Sequence, residues 1–241
     1  MGITFASLSR ATQLALKTFL AAAPATTPFP LGHVHEALSA ALGYNTYAAY
    51  KTAADAGEES AVYDHAQHII LDLPRLQHRL AALGHGALAG QAVDAIRSAF
   101  EGLVPEAKVH DDVDDLEVAI YADVVDGIES SDGYSSELAM TNAYGGDFDI
   151  TFSAALPIDD ARGEWTLIAD GTSSLEQDPD KVYHGDTLDV SARVVFQKLG
   201  RRVLGEMNVE DAGGSIQRDD IDPSDEMPDF EPDDDMGGAH V

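Results

Sequence analysis

The stretch LDVSARVVFQKLGRRVLGEMNV (188–209) decides the fold class. Leu188, Val190, Ala192, Val194 and Phe196 alternate with polar residues that include Asp189, Ser191 and Arg193. A strand sends successive side chains to opposite faces, so this pattern predicts one apolar and one polar face. Lys198-Leu199-Gly200-Arg201 has the composition of a hairpin turn, and 203–209 reads as the returning strand. Upstream, Phe148, Ile150, Phe152 and Ala154 alternate with Asp149, Thr151 and Ser153. Leu116, Val118, Ile120, Ala122 and Val124 alternate with Glu117, Ala119, Tyr121 and Asp123, which predicts a further strand. Weaker strands are expected over 136–144 and 164–169. No crossover helices separate these segments, so the reading is a mainly antiparallel sheet or small sandwich over 111–218.

The first 110 residues carry a different period. Ala and Leu dominate, and the breakers fall between periodic segments. Apolar spacing predicts helices over about 5–22, 33–42, 46–56, 60–70, 73–83 and 88–103. Gly43 is placed to close the second helix in a left-handed conformation, and Asn45 to cap the third. Pro74 suits the first turn of its helix. The fold class is therefore α+β: an N-terminal helical domain (1–110), an antiparallel β domain (111–218) and a tail. From residue 219 the chain has ten acids, no Lys or Arg, and Phe230 as its one aromatic residue. That composition buries too little apolar surface to fold, so 219–241 is expected to be a disordered acidic tail.

Charge sharpens this division. The net charge is −29, from 43 Asp and Glu against 14 Lys and Arg. The first 110 residues hold nine acids and seven bases, and the remaining 131 hold thirty-four acids and seven bases. Adaptation to high salt would load every exposed surface, whereas here one region carries the excess. Such charge opposes a phosphate backbone, so direct nucleic-acid binding is not expected. With no Cys there is no disulfide, thiol nucleophile or Cys-based metal site. No apolar run is long enough for a membrane helix. The Ala21-Ala22-Ala23 run lacks the continuous apolar segment that precedes an export cleavage site, so a cytoplasmic protein is expected.

Within 31–52, LGHVHEALSAALGYNTYAAYKT, the residues His35, Glu36-Ala37-Leu38, Leu42-Gly43-Tyr44 and Tyr47 form a short pattern. It resembles a helical module found in bacterial glyoxalase-superfamily-related proteins and in plasmid- or mobile-element-borne proteins of unknown role. The resemblance covers about a tenth of the chain and implies a helical hairpin and a bacterial origin. It implies no glyoxalase activity, because the metal-binding sheet of those enzymes is not recognisable.

Few residues suggest chemistry. His33, His35, His65, His68, His78 and His85 are spread over the helical half. On a helix, His65 and His68 would share a face and offer two ligands to a metal, with no third in reach of the pattern. Asp111-Asp112-Val113-Asp114-Asp115 matches the DDxxD magnesium motif of prenyl-transferring enzymes in form. Its position before an expected strand makes it a solvated interdomain linker instead. Asn142, Asp147 and Asp149 around Gly145-Gly146 read as a polar turn. There is no G-x-S-x-G elbow, Walker A loop or G-x-G-x-x-G. The helical hairpin offers one cation, Lys51, to DNA, too few for phosphate contacts.

Three functions follow. The first is a non-enzymatic interaction protein that engages a cationic protein through Glu117, Asp123, Asp149, Asp189 and the tail acids Asp233, Asp234 and Asp235. The second is a metal-assisted enzyme using the His and Asp residues above. The third is a structural role in which charge only keeps the chain soluble. The first is the expectation carried forward, with no cofactor.

Overall fold

A computed structural model describes residues 2–21, 29–60, 62–141, 143–177 and 187–216. The expected tail, with Asp233, Asp234 and Asp235, lies outside the described residues, as does Asn142. The architecture is α+β, with seven α-helices and one six-stranded, mostly antiparallel sheet among the described residues.

The helical half opens with α1 (Phe5–Ala21), α2 (Leu31–Ala41) and α3 (Tyr47–Asp55). Gly43, at φ +88°, turns the chain between α2 and α3, a conformation that favours glycine. Thr46, rather than Asn45, caps α3 by accepting from the Ala49 N–H at 3.1 Å. Asn45 instead accepts from Arg75. The helix expected over 60–70 is absent: the chain turns at 64–65 and enters strand β1 (His68–Ile70). A run this short shows no period. Next come α4 (Leu73–Ala82), with Pro74 in its first turn, α5 (Ala89–Leu103) and strand β2 (Lys108–His110), which pairs parallel to β1.

The largest correction concerns 113–129. This segment is one helix, α6 (Val113–Glu129), and not a strand behind a linker. Asp112 caps it by accepting from the Asp115 N–H at 2.9 Å, and Asp114 and Asp115 sit in the first turn, where the helix dipole favours negative charge. Leu116, Ile120, Val124 and Ile128 are fully buried at a spacing of four. Positions four apart also fit an alternating pattern, which is why the strand reading was available. Val118 separates the two periods: it is 78% exposed, where a strand would bury it beside Ile120. The weak strand at 136–144 is likewise helical in its first part, α7 (Asp132–Met140), capped by Ser131.

The remaining strands are β3 (Ala143–Ala154), β4 (Glu164–Gln177), β5 (Thr187–Lys198) and β6 (Val203–Ile216), in sheet order β2-β1-β6-β5-β4-β3. Two cores share this sheet. Ile69 and Val203, paired in register, face the core built from α1–α5. Ile70 and Leu204 face the other side, where α6 and α7 cover Ile150, Leu167, Val190, Val194 and Phe196. At the β2-β1-β6 end, helices lie on both sides of the sheet. Farther along β3–β6, the described residues cover the sheet from the α6–α7 side. Among the described residues, no helix is long and apolar enough to cross a membrane.

The α6 assignment carries a test. Ile120→Ala should cost about 2–5 kcal/mol in urea unfolding, because it opens a cavity in a tight core. Val118→Asp should change stability by only about 0.5 kcal/mol, as an exposed substitution does. Comparable large losses at both positions would restore the strand.

Candidate functional site

The face of β3–β6 away from α6 and α7 is built by alternation. Apart from Val195, which is buried between Val194 and Phe196, the inward apolar residues alternate with outward ones, and the register aligns the outward residues in rows across strands. One row runs Asp149, Thr172, Asp189 and Ser215, and the next Thr151, Asp170, Ser191 and Gly213. A third contains Ser153, Ile168, Arg193 and Glu210. Asp147, Glu164 and Glu176 extend the face, and all of its acids are exposed.

Arg193 is the one base in these rows, and it is committed within the sheet. Its guanidinium bonds Glu210 and reaches Asp211 at 3.2 Å. The register shifts between Ser191 and Arg193, and Asp211 takes a left-handed φ of +49° at this irregularity. A shallow depression of about 510 Å³ lies beside it. Asp170, Asp189, Ser191 and Ser215 line it, together with Val190 and Gly171, Gly213 and Gly214. Chemically this is an acceptor-rich trough, suited to an ammonium or guanidinium group.

The acids singled out from the sequence do not meet on one surface. Asp149 and Asp189 share the open face, in one register row. Glu117 and Asp123 lie on α6, which packs on the other side of the sheet. Burial, then the neighbouring Asp114 and Asp112, push the Glu117 carboxyl above its usual range. Sequence reading missed Asp170, because the Gly and Ser residues after it ended the apparent strand. It also missed Glu210, on the far side of the register shift.

The two histidines offered as metal ligands have different settings. His65 is exposed in a turn. His68 is buried on β1, its Nδ1 3.0 Å from Nε2 of His110 on β2. Asp115 lies 3.6 Å from the other nitrogen of His110. No group of three or more His, Cys, Asp or Glu side chains is placed to hold a metal among the described residues. The Asp111–Asp115 run serves the α6 cap and an Arg97–Asp111 ion pair.

A second concave region lies where the helical half meets the β5–β6 turn. Glu59 is buried there, 3% exposed, and accepts from the Tyr44 hydroxyl at 2.6 Å, the Tyr63 hydroxyl at 3.1 Å and the Arg201 N–H at 3.0 Å. Burial pushes its carboxyl above the usual range, against the opposing pull of these hydrogen bonds and of Lys198. Burial also lowers Lys198 to about 8, despite the pull of Asp159 and Glu59. Gly200 permits the approach, since a Cβ there would come within 2.2 Å of Glu59 Oε1. Beside it, Asp159 bonds Arg202 at 2.8 Å and Arg75 at 3.4 Å.

In comparisons with known proteins, the chain matches no family model, no curated protein and no solved structure. Function is therefore argued from these surfaces.

The buried histidine pair predicts a specific acid response. Burial, then the charges of His110 and Lys108, lower His68 to about 4, with Asp123 pulling the other way. The unfolded chain then binds a proton that the folded chain refuses, so stability is full above about pH 6.5 and falls toward pH 4. The contribution at stake is roughly 3 kcal/mol. Urea midpoints across this range should fall for the natural protein and flatten for His68→Gln. Equal slopes in both would remove His68 from the acid response.

Proposed function

We propose that this chain is a non-enzymatic interaction protein whose open sheet face binds a cationic protein, in the cytoplasm. One observation carries the reading: among the described residues, the side of β3–β6 away from α6 and α7 exposes Asp147, Asp149, Glu164, Asp170, Glu176 and Asp189, and Arg193, the base in its rows, is paired with Glu210 and Asp211. Carboxylates spaced along strands suit Lys and Arg side chains of a partner, and the depression of about 510 Å³ beside Asp170 and Asp189 has room for such a side chain. Long-range attraction would set the encounter rate, and register on the face would set orientation. The tail acids Asp233, Asp234 and Asp235, outside the described residues, add to the net negative charge of the chain. The same charge repels nucleic-acid phosphates. With the acids of the face held apart along strands, and no metal-ligand group among the described residues, the geometry favours binding over the metal-assisted reaction.

The reading predicts where a cationic ligand lands. Titrating the full chain with an oligolysine peptide should shift amide resonances around Asp149, Asp170, Asp189 and Ser191. Amides around Glu117, Asp123 and Asp126 should stay in place. Shifts centred on α6, or spread evenly over every acidic segment, would contradict the proposal.

A further inference from the structure

The junction between the helical half and the β5–β6 turn forms a half-open cavity of about 610 Å³. It is separate from the open sheet face and differs in charge. Lys198, Arg201 and Arg162 line it, in a chain with only 14 Lys and Arg. Two of these cations are already satisfied. Lys198 Nζ donates to the Ile158 carbonyl and, at 2.7 Å, to the Arg201 carbonyl. Arg162 pairs with Glu58 at 2.8 Å.

Arg201 differs. Its backbone N–H is held by Glu59, and its guanidinium lies over the Tyr44 ring, 5.6 Å from the centroid. Among the described residues its Nε is buried without a hydrogen-bond partner, and it makes only a long ion pair with Asp159, at 3.6 Å. That carboxylate is already bonded by Arg202 and Arg75. Asp72, the other acid of the cluster, is bound by Arg75 at 2.8 Å and faces Arg202 at 3.5 Å. Counted together, the cluster and the cavity lining hold five bases, Arg75, Arg162, Lys198, Arg201 and Arg202, against five acids, Glu58, Glu59, Asp72, Asp159 and Asp160. Arg201 is the base whose guanidinium, among the described residues, makes an ion pair with Asp159 but no hydrogen bond.

We propose that this cavity binds a small molecule through an oxyanion, a carboxylate or phosphate group, received by the Arg201 guanidinium. A planar guanidinium held against an aromatic ring is already oriented for two parallel hydrogen bonds to such a group. The volume suits a metabolite-sized ligand, with Tyr44 as its aromatic wall. Glu58 and Asp160 stand on the lining, the first neutralised by Arg162 and the second exposed. They favour one oxyanion on a larger molecule over a polyanion.

The test follows the Arg201 Nε–H resonance while the full chain is titrated with sodium acetate or sodium phosphate, against sodium chloride at equal ionic strength. A saturable shift with either oxyanion and none with chloride is expected, and the stronger arm separates a carboxylate ligand from a phosphate. Arg201→Gln should weaken binding about tenfold or more, read on the Gly163 and Gly200 amides, as loss of a charge-assisted pair does. Arg201→Lys, which keeps the charge and loses the fork, should weaken it as well, and Arg97→Gln should not. Shifts that track ionic strength alone, or undiminished binding in both Arg201 variants, would overturn the proposal.

Discussion

The inward side chains of β3–β6, among them Leu167, Val190, Val194 and Phe196, must be kept from water, and α6 and α7 do this from one side only. Burial of apolar area is the dominant favourable term in folding, so the covered face fixes where α6 sits and which residues it buries. The opposite face of the same strands must then be polar. Alternation makes these two requirements one, since each buried residue in a strand sets a solvent-facing neighbour. Among the described residues, the acidic face follows from a sheet that is covered on both sides at the β2-β1-β6 end and on one side beyond it.

The helical half is joined to this sheet by more than apolar contact. β1 and the start of β6 form a wall between two cores, with Ile69 and Val203 on one side and Ile70 and Leu204 on the other. At the β5–β6 turn, Glu59 gathers Tyr44, Tyr63 and the Arg201 backbone, and Asp159 gathers Arg75 and Arg202. A buried carboxylate is tolerable only when hydrogen bonds replace its water, and these partners come from segments far apart in the chain. The junction that secures the turn also leaves the Arg201 guanidinium facing a cavity.

Much of the fold was legible in the sequence, and the failures have physical causes. β3 and β5 were plain because Phe148–Phe152 and Leu188–Phe196 alternate over enough residues to separate a period of two from 3.6. In α6 the positions Leu116, Ile120, Val124 and Ile128 lie four apart and suit both periods, and the local signal for a helix was the cap at Asp112. β1 and β2 are each three residues long, too short for any period to show. Of the face acids, Asp149 and Asp189 were legible from alternation, whereas Asp170 was hidden by the Gly and Ser residues that follow it. The cluster of Tyr44, Glu59, Tyr63 and Arg201 had no local pattern, because tertiary contact alone brings those residues together.

The central claim is that the position of the acids matters, beyond their number. Two variants that each remove three carboxylates separate these ideas: Asp147→Asn, Asp149→Asn and Asp170→Asn on the open face, and Glu117→Gln, Asp123→Asn and Asp126→Asn on α6. Association rates with an oligolysine peptide, measured at low and high salt, compare them at equal net charge. The account predicts that the sheet-face variant associates several-fold more slowly and with a flatter salt dependence, while the α6 variant stays within about twofold of the natural chain. Equal slowing in both variants would show that net charge alone drives binding and would contradict the account.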